Sequence, residues 1–164
     1  MTNLLDTPLT RLTGEPTTFG ELANGAAALV VNVASRCGHT SQYAYLEALH
    51  REFRPRGFTV IGVPCNQFGA EEPGTAAEIQ EFCSSTFDIS FPMTEKVKVN
   101  GKGRSPLYNV LVNARDERGY VGNVRWNFEK FLVAPDGRVV GRFDSQTPPD
   151  APEIREAIQA LLLA

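Results

Sequence analysis

Cys37 is the residue most able to do chemistry in this chain. It sits in Val31-Asn32-Val33-Ala34-Ser35-Arg36-Cys37-Gly38-His39-Thr40, where an apolar run meets the start of a helical pattern. A thiol so placed has a strand to hold it, a helix N-terminus to favour its thiolate and a cationic neighbour in Arg36. Those conditions lower a cysteine pKa and make the sulfur nucleophilic. Gln67 and the pair Trp126-Asn127 supply amide and indole N–H groups that could serve a thiolate or a peroxide oxygen. Each also has a plainer use. Gln67 could only tie down its own loop, Trp126 could be a core residue, and Asn127 a strand-end cap.

The other two cysteines differ in setting. Cys83 shares a helix face with Ile79 and Phe82, which argues for burial. Ser84-Ser85-Thr86 follow it, and such weak helix formers would let that helix end unwind at low cost. Cys65 follows Pro64 at the end of an apolar strand and reads as a buried, inert thiol.

Three other chemistries fit poorly. A Cys-His protease needs a histidine within hydrogen-bond reach of the sulfur. His50 lies along the helix that follows Cys37, roughly 15–20 Å away at about 1.5 Å per residue. His39 is too near in sequence for easy contact and belongs on the surface of the first turn. A zinc site needs short-spaced ligand pairs such as C-x-x-C, and the chain has none. A dithiol oxidoreductase also wants C-x-x-C, and Thr40 occupies the second position. The chain therefore reads as needing no metal or bound cofactor.

The elements that must position these residues follow from periodicity. Ala28–Val33 and Phe58–Val63 are apolar, β-branched runs bounded by turn residues, and read as buried strands. Between them, Ser41–Phe53 is helical in pattern. Tyr45, Leu46, Leu49 and Phe53 share one face, with Thr40 as N-cap. Strand, helix, strand predicts a right-handed βαβ unit with parallel strands. Ligand sites in such sheets lie at the carboxyl ends of the strands, so the loops carrying Cys37 and Gln67 should open on one edge. Thr75-Ala76-Ala77-Glu78 fits a capping box for the helix that carries Cys83.

Ser105–Ala114 predicts a third helix. Arg125–Ala134 and Arg138–Phe143 flank the hairpin signal Pro135-Asp136-Gly137, and Glu153–Leu163 is a closing amphipathic helix. Leu9–Leu12 and Pro16–Phe19 form a small N-terminal hairpin around Gly14. The expected fold is an α/β sandwich of thioredoxin type, a mixed sheet with helices on both faces, in one domain over residues 1–164. In an ideal strand, Trp126 and Asn127 point to opposite faces. They can converge on Cys37 only if the strand starts near them or carries a bulge, and Gly122 and Asn123 favour a late start.

Bulk properties narrow the function further. An apolar fraction of 42% and a charged fraction of 21% are those of an ordinary globular protein. The net charge of −3 argues against nucleic-acid binding. No apolar run approaches the roughly 20 residues that span a bilayer. The N-terminus lacks a basic segment followed by an apolar stretch, so a signal peptide is not expected and the cytoplasm is the default location. Three cysteines are too few for a disulfide scaffold.

Taken together, three segments resemble the glutathione peroxidase family. They are Asn32-Val33-Ala34-Ser35-Arg36-Cys37-Gly38 with Thr40, Gln42 and Tyr43; Pro64-Cys65-Asn66-Gln67-Phe68-Gly69 with Glu72-Pro73-Gly74; and Trp126-Asn127-Phe128 with Lys130-Phe131. They occur in the right order, and the resemblance covers nearly the whole chain. It implies a thioredoxin fold and a thiol peroxidase acting on hydrogen peroxide and organic or lipid hydroperoxides. It also implies a catalytic tetrad of Cys37, Gln67, Trp126 and Asn127, with cysteine where many animal relatives carry selenocysteine. Cys83 falls where cysteine-type members carry a resolving cysteine, which implies a Cys37–Cys83 disulfide. Members of that kind look to thioredoxin rather than glutathione for electrons. The short Val112–Arg125 stretch lacks the insertion of tetrameric members, which implies a monomer with an open site, without stable membrane association. His39 departs from the residue types found after Cys-Gly in the family. The competing class is a thioredoxin-fold redox sensor or relay that passes oxidation from Cys37 to a partner protein.

Overall fold

The computed structural model describes residues 3–163. Its elements in chain order are β1 (Pro8–Thr10), β2 (Pro16–Thr18), α1 (Phe19–Ala23), β3 (Ala27–Val33), α2 (Gln42–Phe53), β4 (Phe58–Pro64), α3 (Ala76–Phe87), α4 (Pro106–Leu111), β5 (Lys130–Val133), β6 (Val139–Phe143) and α5 (Pro152–Leu163). Strands β1 and β2 pair as the expected antiparallel hairpin. The main sheet has the order β4-β3-β5-β6. Strands β3 and β4 run parallel in register from Ala27↔Phe58 to Val33↔Pro64. Strand β5 is antiparallel to both β3 and β6. This is the mixed sheet of a thioredoxin-type sandwich.

Alternation along β3 explains the two cores. Leu29, Val31 and Val33 face a layer holding Tyr43, Leu46, Leu49 and Phe53 of α2, Ile79 of α3, and Ile154 and Ile158 of α5. Ala28 and Val30 face the opposite layer, with Phe19 and Leu22 of α1 and Leu107, Tyr108 and Leu111 of α4. All seven residues of β3 are buried, as the continuous apolar run requires of a central parallel strand. Burying each large aliphatic or aromatic side chain contributes about 1.5–3 kcal/mol.

Several boundaries differ from the sequence reading. Phe19 does not end the hairpin; it starts α1, capped by the Thr18 side chain, which accepts the Glu21 N–H at 3.1 Å. The third helix is short, Pro106–Leu111, because the chain turns at Val112 and follows irregular loops to Lys130. The strand expected from Arg125 starts only at Lys130. Phe128 has a φ of 65°, a left-handed backbone that no strand accommodates. The capping box of α3 is present in both directions, Glu78 N–H to Thr75 Oγ1 at 3.2 Å and Thr75 N–H to Glu78 Oε1 at 3.1 Å. No described helix is long and apolar enough to cross a membrane.

Candidate active site

Cys37 lies four residues beyond β3, in a loop of overlapping turns that leads into α2. Thr40 does not cap the helix as expected. Its Oγ1 accepts the Cys37 N–H at 2.8 Å and donates to the Ala34 carbonyl at 2.9 Å, so it closes the loop around the cysteine instead. The His39 N–H donates to Cys37 Sγ at 3.3 Å. His39 therefore serves the sulfur through its backbone, a contribution its side chain could not advertise. His50 is buried in the last turn of α2, where Nδ1 accepts the Val60 N–H of β4 at 3.1 Å.

The Arg36 side chain is exposed and is not among the main influences on the Cys37 pKa, which is raised where the sequence suggested a lowered one. Burial pushes the Cys37 thiol above the ordinary cysteine range. The His39 N–H pulls it down, the Glu71 carboxylate pushes it up, and the Asn127 amide pulls it down. The hydrogen bond the sulfur receives is the one from the His39 N–H, and Glu71 and Asn127 influence its ionisation from nearby.

Asn127 reaches this point because the chain is clamped by Asn32. Asn32 Nδ2 donates to the Trp126 carbonyl at 3.0 Å, and its Oδ1 accepts the Glu129 N–H at 3.1 Å. The Asn32 carbonyl accepts the Phe128 N–H at 2.7 Å. With Phe128 left-handed, Asn127 turns into the site while the Phe128 ring packs edge-on against Tyr43 at 5.5 Å. Asn127 is fully buried. Its Nδ2 donates to Glu71 Oε2 at 2.9 Å and to the Phe68 carbonyl at 3.3 Å. Its Oδ1 is buried with no partner. Buried acceptors are nearly always satisfied, so a vacant one beside a thiol suits a substrate O–H. Trp126 remains 39% exposed, its ring tilted over Phe68 at 5.7 Å, at the mouth of the site.

Gln67 leaves β4 on the same sheet edge, but its amide is engaged elsewhere. Oε1 accepts the Val99 and Asn100 N–H groups at 2.7 and 3.1 Å, and Nε2 donates to the Asn100 carbonyl at 2.9 Å. The side chain here ties its own loop down, the plainer of its two uses. Cys65 is fully buried, and burial raises its pKa.

Glu71 and Glu72 follow a tight reversal in which Gly69 and Ala70 are both left-handed, with φ of 69° and 52°. They point to different partners. Glu72 is fully buried and accepts the Ser35 N–H at 3.1 Å and the Ser35 hydroxyl. Glu71 faces Asn127, its carbonyl accepts the Arg36 N–H at 3.0 Å, and it pushes the Cys37 pKa up. The sequence reading passed over Glu71, between two recognisable stretches. An acidic residue flanking a loop at the nucleophile's sheet edge was the available signal.

Cys83 is 4% exposed on α3, and its thiol donates to the Tyr43 hydroxyl at 3.6 Å. Burial pushes its pKa up to about 11, against the Tyr43 hydrogen bond, which lowers it. Residues 84–86 stay helical to Phe87. Of the helix, only Ile79 and Cys83 are buried. Among the described residues, all three cysteines are free thiols and no group of His, Cys, Asp and Glu is arranged to hold a metal.

A cysteine at the carboxyl end of the central parallel strand of this sheet, facing an amide from the opposing loop, defines a thioredoxin-fold thiol redox protein. The family model for glutathione peroxidase matches residues 4–112. A hydroperoxy fatty acid reductase, Gpx2 of Synechocystis, is 46% identical over 158 residues, covering 96% of this chain and 98% of that one. The thioredoxin/glutathione peroxidase BtuE of Escherichia coli is 41% identical, with 98% and 97% covered. The crystal structure of Trgpx in apo form superposes with a TM-score of 0.78 at 32% identity, covering 99% and 97%. This chain belongs to the glutathione peroxidase family.

Proposed function

We propose that this chain is a thiol peroxidase that reduces hydroperoxides, including those of fatty acids, through Cys37. The observation that carries this is the half-buried Cys37 sulfur, receiving the His39 N–H and flanked by the Asn127 amide with its vacant Oδ1. The Cys37 thiolate attacks the terminal peroxide oxygen. The O–O bond breaks, its electron pair leaves with the alkoxide or hydroxide, and Cys37 becomes a sulfenic acid. The Trp126 indole N–H donates to charge developing on oxygen, and Asn127 does so once its Nδ2 leaves Glu71 or the Phe68 carbonyl. Gln67 joins them once its side chain leaves Val99 and Asn100.

Cys83 then condenses with the sulfenic acid, releasing water and forming a disulfide. A dithiol of thioredoxin reduces it by exchange. Disulfide formation needs the two Cα atoms within about 7 Å, with the sulfurs facing each other. Cys83 instead points at Tyr43, so its thiol must leave that hydroxyl before the disulfide can form, and the helix carrying it partly unfolds if the Cα atoms lie farther apart. The relative BtuE is named for thioredoxin as well as glutathione, and the exposed, lightly anchored α3 gives a thioredoxin access. We read the protein as one domain acting as a monomer in the reducing cytoplasm. Its free thiols and the Val112–Arg125 stretch, held by Arg142 through the carbonyls of Val112, Ala114, Gly122 and Asn123, support that reading.

Steady-state NADPH oxidation with thioredoxin, thioredoxin reductase and a hydroperoxide tests it, with glutathione and glutathione reductase as the second arm. Cys37→Ser should abolish turnover in both arms. Cys83→Ser should allow one turnover and then stop the thioredoxin cycle. Undiminished activity in Cys37→Ser would overturn the assignment, and rapid oxidation without sustained NADPH consumption would favour a sensor.

A further inference from the structure

Two amide side chains outside the strands pair with backbone at both of their ends, and they meet at Asn100. Gln67 Oε1 accepts the Asn100 N–H at 3.1 Å, and Gln67 Nε2 donates to the Asn100 carbonyl at 2.9 Å. The Asn100 amide does the same to Val124. Its Nδ2 donates to the Val124 carbonyl at 2.7 Å, and its Oδ1 accepts the Val124 N–H at 2.9 Å. Val124 lies two residues before Trp126. Asn100 therefore staples the loop after β4 to the loop that leads to Trp126. Gln67 Oε1 also accepts the Val99 N–H at 2.7 Å and the Cys65 thiol at 3.6 Å. Val99 is held by its own fully buried side chain. Asn100 is only half-buried, and the chain turns away beyond it at Gly101, left-handed with a φ of 75°. The side-chain bonds to Val124 are thus what fix the Asn100 backbone against Gln67. Cys37 and Gln67 leave the sheet on neighbouring paths, because β3 and β4 end together and the Cys65 N–H donates to the Val33 carbonyl at 3.2 Å. Yet among the described residues the hydrogen bond to the Cys37 sulfur comes from the His39 N–H, and Gln67 makes none to it.

We propose that Asn100 is a positioning residue that restrains Gln67, so that release of the Gln67 amide from Asn100 brings an N–H donor to the Cys37 sulfur and its peroxide. This rests on Cys37 being the peroxidatic thiol and on Gln67 serving it. Asn100 makes no bond to substrate and acts only through Gln67. A weaker staple frees the amide more often, and an N–H that reaches the sulfur favours the thiolate.

Asn100→Ala removes both bonds to Val124 and leaves in place the groups that hold Gln67 itself, since those belong to the backbone. Alkylation of Cys37 by iodoacetamide at neutral pH, in a Cys83→Ser background, should become about fivefold faster, the effect of one hydrogen bond, and its pH midpoint should move down. With Gln67→Ala also present, Asn100→Ala should change neither. Single-turnover reduction of hydrogen peroxide follows the same cycle. The rate of Asn100→Ala relative to its parent should be about fivefold higher with Gln67 present than with alanine there. Loosening of Trp126 through Val124 is common to both backgrounds and cancels in that ratio. Asn100→Ser keeps a polar side chain at the half-buried position, and it should move alkylation in the same direction if the alanine variant does not fold. A midpoint that stays or moves up would overturn the proposal. So would a change that persists in the Gln67→Ala background, which is what a purely structural role predicts. Failure of the underlying assignment looks different: Cys37→Ser would still reduce hydrogen peroxide.

Discussion

Asn32 and Trp126 are joined by one hydrogen bond, from the Asn32 side-chain amide to the Trp126 carbonyl at 3.0 Å, across a separation of 94 residues. That bond couples the strand that ends near Cys37 to the turn that carries Asn127. The strand holding the nucleophile thereby also sets the distance to its amide neighbour.

Replacing Asn32 should expose this coupling. Asn32→Ala leaves the Trp126 carbonyl and the Glu129 N–H unpaired in a buried setting, a loss of about 2–4 kcal/mol. Urea denaturation should show the drop in stability. Single-turnover peroxide reduction, measured below the unfolding transition, should fall as well, because Asn127 loses its fixed approach to the sulfur.

Arg142 should matter even more to stability. It is 1% exposed and donates to Glu129 Oε2 at 2.6 Å and to four loop carbonyls. Arg142→Ala breaks a buried pair, leaves Glu129 to Arg125 alone and takes the donor from four loop carbonyls, a cost of about 3–5 kcal/mol. Arg142→Lys should rescue little, since an ammonium cannot reproduce the fork of five donors. Trp126 is the only tryptophan in the chain, so its emission reports directly on whether the preceding loop has loosened.

The pH profile of Cys37 has a defined sign. Burial and Glu71 raise its pKa, outweighing the His39 N–H and Asn127. The thiolate fraction at neutral pH is therefore smaller than for a free cysteine, and alkylation in a Cys83→Ser background should rise with pH through a midpoint above that of a free cysteine. A plateau already reached below neutral pH would contradict this electrostatic balance.

Tyr43→Phe probes the release of Cys83. The substitution keeps the ring, with its packing against Phe87 at 5.4 Å and Phe128 at 5.5 Å, and removes only the hydroxyl that holds the thiol. Stability should change by less than about 1 kcal/mol, the net contribution of one weak hydrogen bond. Disulfide formation after a single peroxide pulse should become roughly 2–5-fold faster, as the same small energy leaves the opening step. Thiol trapping and gel analysis over time measure it.

Most of the framework was legible in the sequence because it rests on periodicity. The apolar runs of β3 and β4, the helical pattern from Ser41 to Phe53 and the box Thr75–Glu78 each state their element locally, although the tyrosine on the buried face of that helix is Tyr43 and not the expected Tyr45, which is exposed. What was not legible depends on backbone reversal. Nothing in the residue types of Asn127-Phe128 announces a left-handed Phe128, and so the strand was drawn five residues too early. Thr40 and Gln67 are polar residues with several possible partners, and only tertiary distance decides among them. Glu71 was missed for a related reason: its importance comes from the turn at Gly69-Ala70, not from its neighbours in sequence.

The Tyr43–Cys83 contact carries a further consequence for how much oxidant the protein tolerates. On the proposed cycle, each Cys37 sulfenic acid waits while α3 lets Cys83 go. During that interval a second hydroperoxide can drive the sulfur on to the sulfinic state, which a thiol does not reverse. The opening rate of one short helix thus acts as a clock. Below the hydroperoxide concentration at which the second collision beats the clock, most cycles end in the disulfide. Above that concentration it silences itself, so the packing around one tyrosine hydroxyl sets a ceiling on dose.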